Sequence, residues 1–341
     1  MSSNKFMKRI LTFLLISLTA IIAIVFLLLF VQSSKNESYT EVRIKKSWNQ
    51  EEFNNYVSQE FELALPMGIA FWSEKIGFNI QTSQFVLPPN SSVWSFFELL
   101  RANRNQTVNV VIPPGVYKRE LIRILIKHFD FDKDKLNQYF DNNEFWSELG
   151  TDKYSWPSII IPNTYNFSRN TDLDMFFKRI SNETKIFWNA DRKRKLRQQK
   201  LTLQEAVTLA SIVQKESLKV DEYQNIAGVY LNRLRINMFL GADPTLVFIR
   251  GKGGRVYNKD MKADSPYNTY KYKGLPPGPI CIPSKSAIDA VLDYKEHRYL
   301  YFCAKSDLSG YHVFARHYKD HLKNARLFQR KLNDLERRKK R

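Results

Sequence analysis

Cysteine, glycine and proline are all scarce in this sequence of 341 residues. The two cysteines, Cys281 and Cys303, exclude a disulfide-stapled fold and a cysteine-rich zinc site, although one optional bridge stays open. With 12 glycines, 13 prolines, 43% hydrophobic and 14% aromatic residues, the chain is neither fibrous nor largely disordered. It has no glycine-rich phosphate loop and no cluster of metal ligands, so neither a cofactor nor a metal site is predicted. Its length favours two domains.

Acidic residues are outnumbered by basic ones. The sequence has 34 Asp and Glu but 53 Lys and Arg, which gives a formal net charge of +19. Such a charge favours anionic partners. Eleven of the basic residues lie in two runs without an acid, namely Arg192, Lys193, Arg194, Lys195, Arg197 and Lys200, and Arg337, Arg338, Lys339, Lys340 and Arg341. Such runs are usually solvated helix faces. A nucleic-acid or anionic-lipid binder is an alternative, but no nucleic-acid fold signature accompanies the charge, so nucleic acid is not predicted as a partner.

Charged residues are absent from a run of 22 mostly apolar residues, 10–31. At 1.5 Å per residue, a helix of this length crosses a hydrocarbon core of about 30 Å. The run is longer than the apolar part of a signal peptide and lacks a small-x-small cleavage site. The sequence therefore predicts a single transmembrane helix. Lys5, Lys8 and Arg9 precede it, so residues 1–9 are expected to be a cytoplasmic tail and the remainder to lie across the membrane.

Two stretches between residues 78 and 130 share the same order of strand, proline-bounded turn and apolar helical stripe. Strand-like runs at 78–80 and 85–87 precede Pro88-Pro89 and a helical stripe at 93–100. The run 108–112 likewise precedes Pro113-Pro114-Gly115 and a stripe at 121–129. The repetition predicts a small α+β module within 78–150, with a linker and connecting segment over 32–77.

Residues 151–341 have mostly helical patterns. Thr202 and Glu205 have the spacing of a capping box, and the apolar positions that follow recur at helical intervals, which predicts a helix ending near Glu216. Further helices are predicted from Asp221 and over 322–335. The predicted fold class is α+β, with one N-terminal transmembrane helix, the small module and a mostly helical C-terminal domain.

Glu216 stands out because it continues an apolar column. At about 100° per residue, it lies about 20° from Leu209 and about 40° from Ile212 around the helix axis. A carboxyl group desolvated in this way has a raised pKa, which a general acid working near neutral pH requires. The spacing alone is equally consistent with a second interpretation, in which Glu216 is an amphipathic residue whose charged end reaches water at the helix terminus.

Three segments resemble, in order, the endolytic murein transglycosylases of the MltG or YceG-like family. They are LASIVQKES at 209–217, IAGVYLNRLRINMFLGADPT at 226–245 and SPYNTYKYKGLPPGPI at 265–280. IPNTYNF at 161–167 and the runs at 299–305 and 310–314 are similar to further signatures of that family, and the repeat within 78–130 resembles its LysM-like module. Position 163 is Asn where many members have Asp, so a second carboxylate is not expected there.

The resemblance implies a LysM-like module over 78–150 and a lytic transglycosylase domain over 151–341, with Glu216 as the catalytic residue. Such an enzyme cleaves the MurNAc–GlcNAc bond within nascent peptidoglycan strands, leaves 1,6-anhydro-MurNAc ends and terminates elongation. Glycan strands are the implied substrate, and peptidoglycan synthases are candidate partners. The implied location is the bacterial inner (cytoplasmic) membrane, with the catalytic domain on the periplasmic or extracytoplasmic side. Two alternatives are a peptidoglycan-binding scaffold without activity and a muramidase that hydrolyses the same bond.

A group of further residues is predicted to bind the substrate: Asp243, Ser265, Tyr267, Asn268, Thr269, Tyr270 and His312. The tyrosines can stack on sugar faces and the polar side chains can bind acetamido and hydroxyl groups, but such residues also serve to pin a loop. Asp243 is either a partner in the cleft or a turn residue. His312 either forms a hydrogen bond near the site or is a buried core histidine. Arg233 can anchor a carboxylate of the protein or the lactyl group of the sugar.

Overall fold

The computed structural model of the protein describes residues 2–26, 38–45, 48–61, 83–103 and 106–339. The chain divides into two compact units. The first comprises 1–108, 128–130 and 166–171, and the second comprises 109–127, 131–165 and 172–341.

The first unit contains a two-stranded antiparallel sheet. Its elements are α1 (Ser2–Phe26), β1 (Thr40–Ile44), α2 (Gln50–Phe61), β2 (Ser83–Leu87) and α3 (Val93–Ala102). The strand register runs from Thr40 opposite Leu87 to Ile44 opposite Ser83. Alternate strand residues point into a core formed by Val42, Ile44, Phe53, Val57, Phe85, Leu87, Phe96 and Leu100. The segment 32–77, predicted as a linker, therefore contributes β1 and α2 to this core.

Helix α1 coincides with much of the predicted transmembrane segment, whose last residues, 27–31, lie outside the described residues. Within the described ranges, no helix combines the length and the apolar character needed to cross a membrane. The single-pass helix predicted over 10–31 is therefore not found among these residues.

The repeated order of strand, turn and helix is present. β2 precedes α3, and β3 (Thr107–Ile112) precedes α4 (Lys118–His128), while the predicted strand at 78–80 lies outside the described residues. The two copies do not share a sheet, because β2 pairs with β1 whereas β3 pairs with β4 (Asn163–Ser168). A LysM-like module over 78–150 is therefore not supported.

An aromatic cluster lies in the second unit, among α5 (Lys133–Asp141), α6 (Asn143–Glu148), the 3₁₀ turn Trp156–Ile159 and α7 (Leu173–Phe187). The ring centroid of Phe140 is 4.7 Å from that of Trp156, and the centroids of Trp146 and Phe177 are 5.0 Å apart. Contacts between these large buried rings hold the short helices in position.

The main core of the second unit surrounds the helix that was predicted to end near Glu216. The remaining elements are α8 (Ala190–Gln199), α9 (Leu203–Glu216), α10 (Tyr223–Arg235), α11 (Asp243–Arg250), α12 (Lys285–Leu292), β5 (Tyr301–Ala304), β6 (His312–Ala315) and α13 (Tyr318–Lys339). The predicted capping box is confirmed, because Glu205 N donates to Thr202 Oγ1 at 3.2 Å and Thr202 N donates to Glu205 Oε2 at 2.8 Å. Strands β5 and β6 form an antiparallel hairpin.

The basic run on α8 is part of the surface of this unit. Arg192 Nε is 2.8 Å from Asp289 Oδ1, and Lys195 Nζ is 2.7 Å from Asp293 Oδ2. These ion pairs favour the interpretation of the run as a solvated helix face.

Cys281 and Cys303 are both free thiols.

Candidate active site

Glu216 is the last residue of α9 and lies where the apolar face of the helix meets the surface. Leu209 and Ile212, on the same face, are completely buried, while Glu216 itself is half-buried. The helix ends because Ser217 adopts an extended backbone, with φ −138° and ψ 147°. Glu216 therefore continues the apolar column predicted from the sequence, and its carboxyl group lies at the edge of the core.

The environment of this carboxyl group favours its neutral form. Burial raises the pKa of Glu216 to about 7, and the nearby charge of Asp243 also raises it. A hydrogen bond that the buried Tyr230 hydroxyl donates to Glu216 Oε1 acts in the opposite direction, as does the positive charge of Arg233. Near neutral pH the group can therefore give a proton or take one.

A second pair of carboxylate and tyrosine lies beside the first. Asp243 is the first residue of α11, and the hydroxyl group of Tyr270 donates a hydrogen bond to its Oδ1. Burial and this contact raise the pKa of Tyr270 well above its usual range, and the charge of Glu216 contributes. The structure thus brings Asp243 and Tyr270, both predicted from the sequence, into the surroundings of Glu216.

Arg233 supplies positive charge to the same place without forming an ion pair with either carboxylate within the described part of the chain. Its Nε donates to the carbonyl oxygen of Leu300 at 2.6 Å, and its Nη1 donates to that of Leu240. The guanidinium carbon also lies 5.8 Å from the centre of the Tyr230 ring. Backbone carbonyls therefore hold the guanidinium close enough to act on the Glu216 pKa.

Two of the predicted substrate-binding side chains hold loops together. Thr269 Oγ1 accepts a hydrogen bond from Ala242 N at 2.9 Å and lies 3.0 Å from Thr245 Oγ1, which ties the start of α11 to the segment before Tyr270. Asn268 is fully buried and donates to the carbonyl oxygens of residues 261 and 263 at 2.9 and 2.8 Å. Of the two roles left open by the sequence, these contacts favour loop pinning.

Ser265 and Tyr267 lie in the same loop. Ser265 Oγ accepts a hydrogen bond from Tyr267 N at 3.3 Å, so it shapes the turn. The ring of Tyr267 packs 4.7 Å from that of Phe248 on α11, and burial raises its pKa to about 12. Tyr267 therefore packs against Phe248 near the end of α11.

His312 contacts a carboxylate that the sequence did not single out. Its backbone N donates to Glu222 Oε1 at 2.7 Å, and its Nδ1 lies 2.9 Å from Glu222 Oε2. Ser217, the residue after Glu216, donates to Glu222 Oε2 at 3.2 Å. Glu222 precedes α10 but makes no side-chain capping bond, because its side chain is buried against β6 instead. No local pattern points to this pair, since its members are 90 residues apart.

The described residues contain no group of three or more His, Cys, Asp or Glu side chains placed to hold a metal ion. What they do contain is one acid with a raised pKa, a second carboxylate held by a tyrosine, and a fixed guanidinium. These groups together can supply general acid–base chemistry.

Substitutions of Asp243 and Tyr230 are expected to shift the pKa of Glu216 in opposite directions, and with it the pH dependence of kcat/KM. Replacing Asp243 with Asn removes a negative charge and should lower the pKa of Glu216, so that kcat/KM falls at a lower pH. Replacing Tyr230 with Phe removes a hydrogen bond that favours the carboxylate, and should move the same limb to a higher pH. The measurement is the pH profile of kcat/KM for both variants and the unmodified protein. Shifts in the same direction for both variants would contradict this account.

The site is that of a largely helical domain that presents one shielded acid, an arrangement suited to general acid–base chemistry. Comparison with known proteins identifies the family. The model of the YceG-like family matches residues 35–327. The chain therefore belongs to the YceG-like family, which confirms the resemblance found in the sequence.

Relatives with assigned names match about half of this chain. A Bacillus subtilis (strain 168) protein named endolytic murein transglycosylase is 36% identical over 173 residues, covering 50% of this chain and 47% of that protein. A protein of the same name from Streptococcus pneumoniae (strain ATCC BAA-255 / R6) is 30% identical over 183 residues, covering 51% of this chain and 32% of that protein. The chain thus matches less than half the length of each.

A solved structure extends the similarity over most of the fold. The crystal structure of a YceG-like protein from Listeria monocytogenes matches with a TM-score of 0.58 at 22% identity, and covers 84% of this chain and 99% of that one. At this identity the match shows a common fold.

Proposed function

We propose that this protein is an endolytic peptidoglycan lytic transglycosylase, which cleaves the bond between MurNAc and GlcNAc within a glycan strand. The observation that carries the proposal is Glu216, a half-buried acid with a pKa of about 7 at the end of α9. The names of the relatives from B. subtilis and S. pneumoniae support the same reaction. A scaffold without activity would have no need for an acid shielded in this way.

In the first step of the proposed reaction, Glu216 protonates the glycosidic oxygen. Tyr230 donates its hydrogen bond to Oε1, which leaves Oε2 to carry the proton toward the substrate. As the bond between C1 of MurNAc and the glycosidic oxygen breaks, its electron pair stays on that oxygen, which leaves as the GlcNAc hydroxyl group. Positive charge then develops at C1, and the Asp243 carboxylate supplies negative charge in the neighbourhood.

In the second step, the C6 hydroxyl oxygen of the same MurNAc bonds to C1, and its proton passes to the Glu216 carboxylate. The product is a 1,6-anhydro end, the acid is regenerated, and no water is consumed. Because the nucleophile belongs to the sugar under attack, proximity replaces a separate residue that would activate water.

A muramidase that hydrolyses the same bond is the second candidate, and Asp243 is the observation that favours it. Glycosidases that use water generally need two carboxylates. Asp243 lies near enough to Glu216 to raise its pKa, and Tyr270 fixes one of its oxygens. In that reaction Asp243 would activate water or stabilise the intermediate.

Product analysis separates the two reactions. The chain is incubated with purified glycan strands in water enriched in heavy oxygen, and the ends are analysed by mass spectrometry. A lytic transglycosylase gives MurNAc ends that lack one water and carry no label. Labelled reducing MurNAc ends would show hydrolysis, and Asp243→Asn would then be expected to abolish the labelled product. Unchanged strands would contradict both candidates.

The proposed substrate also sets the place of action. Peptidoglycan is assembled outside the cytoplasmic membrane, so we infer that the unit carrying Glu216 works on the extracytoplasmic side. Cleavage within a nascent strand would release it from further elongation, which makes the protein a terminase and a peptidoglycan synthase its expected partner.

A further inference from the structure

Glu222 is a buried carboxylate that the proposed reaction does not use. Only 5% of its surface is exposed, and its two oxygens accept three hydrogen bonds. His312 donates two of them, from its backbone N at 2.7 Å and from Nδ1 at 2.9 Å, and Ser217 Oγ donates the third at 3.2 Å. Because a buried carboxylate is costly to leave without partners, these contacts hold together the segments that supply them.

One of these segments is the end of the helix that carries the acid. Ser217 follows Glu216 directly and is buried, and its Oγ donates to Glu222 while accepting a hydrogen bond from Lys219 N at 3.0 Å. The extended backbone of Ser217 is what ends α9. The contact with Glu222 therefore fixes the residue next to the acid, and with it the direction in which the Glu216 side chain leaves the helix.

The other segment is the β5–β6 hairpin. In its register Ala304 is opposite His312, and Phe302 is opposite Phe314. Phe302 and His312 therefore lie on the same face of the hairpin, and their ring centroids are 5.3 Å apart. The ring of Phe302 also packs edge-on against that of Tyr230, with centroids 5.9 Å apart. The hairpin that His312 anchors thus packs against the tyrosine that binds the acid.

The chain segment of this hairpin reaches the surroundings of Glu216 at one more point. The carbonyl oxygen of Leu300, directly before β5, accepts the 2.6 Å hydrogen bond from Arg233 Nε. Tyr230 and Arg233 are the two groups of α10 that act on the Glu216 pKa, and Asp243 of α11 is the third group that does so. Both groups of α10 are therefore held by the hairpin segment.

Contacts at the surface support the same attachment. Lys219 and Lys305 place their Nζ atoms 4.8 and 5.4 Å from the centre of the Tyr311 ring, at the turn of the hairpin. Phe302 and Phe314 also pack against the main core. Since these contacts do not involve the buried pair, we expect a change in the pair to loosen the hairpin without unfolding the second unit.

We propose that Glu222 and His312 form a clamp that positions Glu216, by holding the end of α9 and the β5–β6 hairpin together and so keeping Tyr230 against the acid. Both are positioning residues, since the proposed reaction gives neither of them a contact with the substrate. The expected effect on rate rests on the proposed function. Loosening the clamp should admit water to the Glu216 carboxyl group and remove part of the desolvation that keeps it neutral, whatever the reaction is.

Three variants separate the hydrogen bonds of the pair from its packing. Glu222→Gln keeps the shape of the side chain and loses its charge. His312→Phe keeps a ring beside Phe302 and the charge of Glu222, but loses the donor at Nδ1. His312→Asn does the reverse, since its amide nitrogen can donate from close to the position of Nδ1. The first two variants should disturb Glu216, and the third should behave largely as the parent does.

The first measurement is the pKa of Glu216 in the full chain, from the carboxyl carbon NMR signals of protein labelled at glutamate. The signal is assigned by its loss in Glu216→Gln. From about 7 in the parent, the pKa should fall toward the ordinary 4.5 in Glu222→Gln and His312→Phe, and stay near the parent value in His312→Asn. Because the signal comes from folded protein, a general loss of stability would not move it.

The second measurement is kcat and KM on purified glycan strands. Glu222→Gln and His312→Phe should lower kcat about 10-fold and leave KM within about 2-fold, because they displace the acid and not the substrate. The alkaline limb of kcat/KM should move to lower pH together with the Glu216 pKa. Glu148→Gln and His317→Phe, which change exposed residues of the second unit, are the matched controls and should behave as the parent does.

A Glu216 pKa that is unchanged in folded Glu222→Gln and His312→Phe would overturn the clamp. An equal fall in His312→Asn would also overturn it, because packing of the ring would then hold the acid. Should either variant fail to fold, Ser217→Ala removes only the contact on the side of α9, and an unchanged pKa there would count against the clamp equally. If the parent cleaves no strands while the pKa responds as expected, the clamp stands and the proposed function is wrong.

Discussion

Replacing Glu216 with glutamine is expected to slow cleavage of glycan strands by about 10² to 10⁴-fold, and by more if this side chain both gives and takes the proton. The amide has nearly the same shape, and its oxygen can still accept the Tyr230 hydrogen bond, but it cannot transfer the proton. The measurement is the rate of release of soluble products from purified strands. Glu144→Gln, an exposed residue of α6, is the matched control and should keep full activity. A Glu216→Gln variant with normal activity would remove Glu216 from the mechanism.

The same variant has an expected effect on stability, whose sign follows from the raised pKa. Between the ordinary value of 4.5 and about 7, folded Glu216 holds a proton that the unfolded chain has lost. The free energy of unfolding should therefore fall as the pH rises through this range, by an amount on the order of 3 kcal/mol for this residue. Glutamine removes this dependence.

Denaturant unfolding at pH 5 and pH 8 checks the effect. Relative to the unmodified protein, Glu216→Gln should be more stable at pH 8 than at pH 5, although its cleavage rate is strongly reduced at both. A variant destabilised equally at the two values would show that Glu216 is not held in its neutral form by burial.

The second large effect is expected at Gly278, within the segment at 265–280 that carries part of the family resemblance. A Cβ atom at this position would lie 2.1 Å from the carbonyl oxygen of Tyr154 and 3.1 Å from Ser155 N. Both are backbone atoms, so the conflict cannot be relieved by rotating a side chain. Gly278→Ala should therefore lower the free energy of unfolding by about 3 kcal/mol, at the upper end for overpacked sites.

Gly253→Ala is the control for this effect, because an added Cβ there would have no heavy atom within 4 Å. The two variants are compared by denaturant unfolding at one pH. Equal stability of both would contradict the close approach of the segment at 265–280 to residues 154 and 155.

Local patterns in the sequence were sufficient for several elements. The capping box at Thr202 and Glu205 and the apolar positions that follow lie within one helix, so their spacing alone predicted α9. The amphipathic stripe from Leu322 to Leu335 likewise predicted α13. The order of strand, turn and helix was also predicted correctly at β2–α3 and β3–α4, since each of these two copies is contiguous in the chain.

Local sequence patterns did not predict which strands pair with each other. β1 is only five residues long and lies in the segment interpreted as a linker, and its partner β2 begins at Ser83, far along the chain. The resemblance of the two strand–turn–helix copies suggested one module, but each strand pairs outside the repeat. Pairing depends on which edges meet in three dimensions, and local alternation does not specify that.

By itself, the sequence determined that Glu216 ends a helix on its apolar face and that the chain resembles one family, because both depend on residues close in order. Only the tertiary structure decided what surrounds that carboxyl group. Tyr230 comes from the next helix, and Asp243 is held by Tyr270 from a loop 27 residues further on. A pKa is set by burial and by charges within a few ångströms, whichever part of the chain supplies them. The value of about 7 is therefore a property of the packed core.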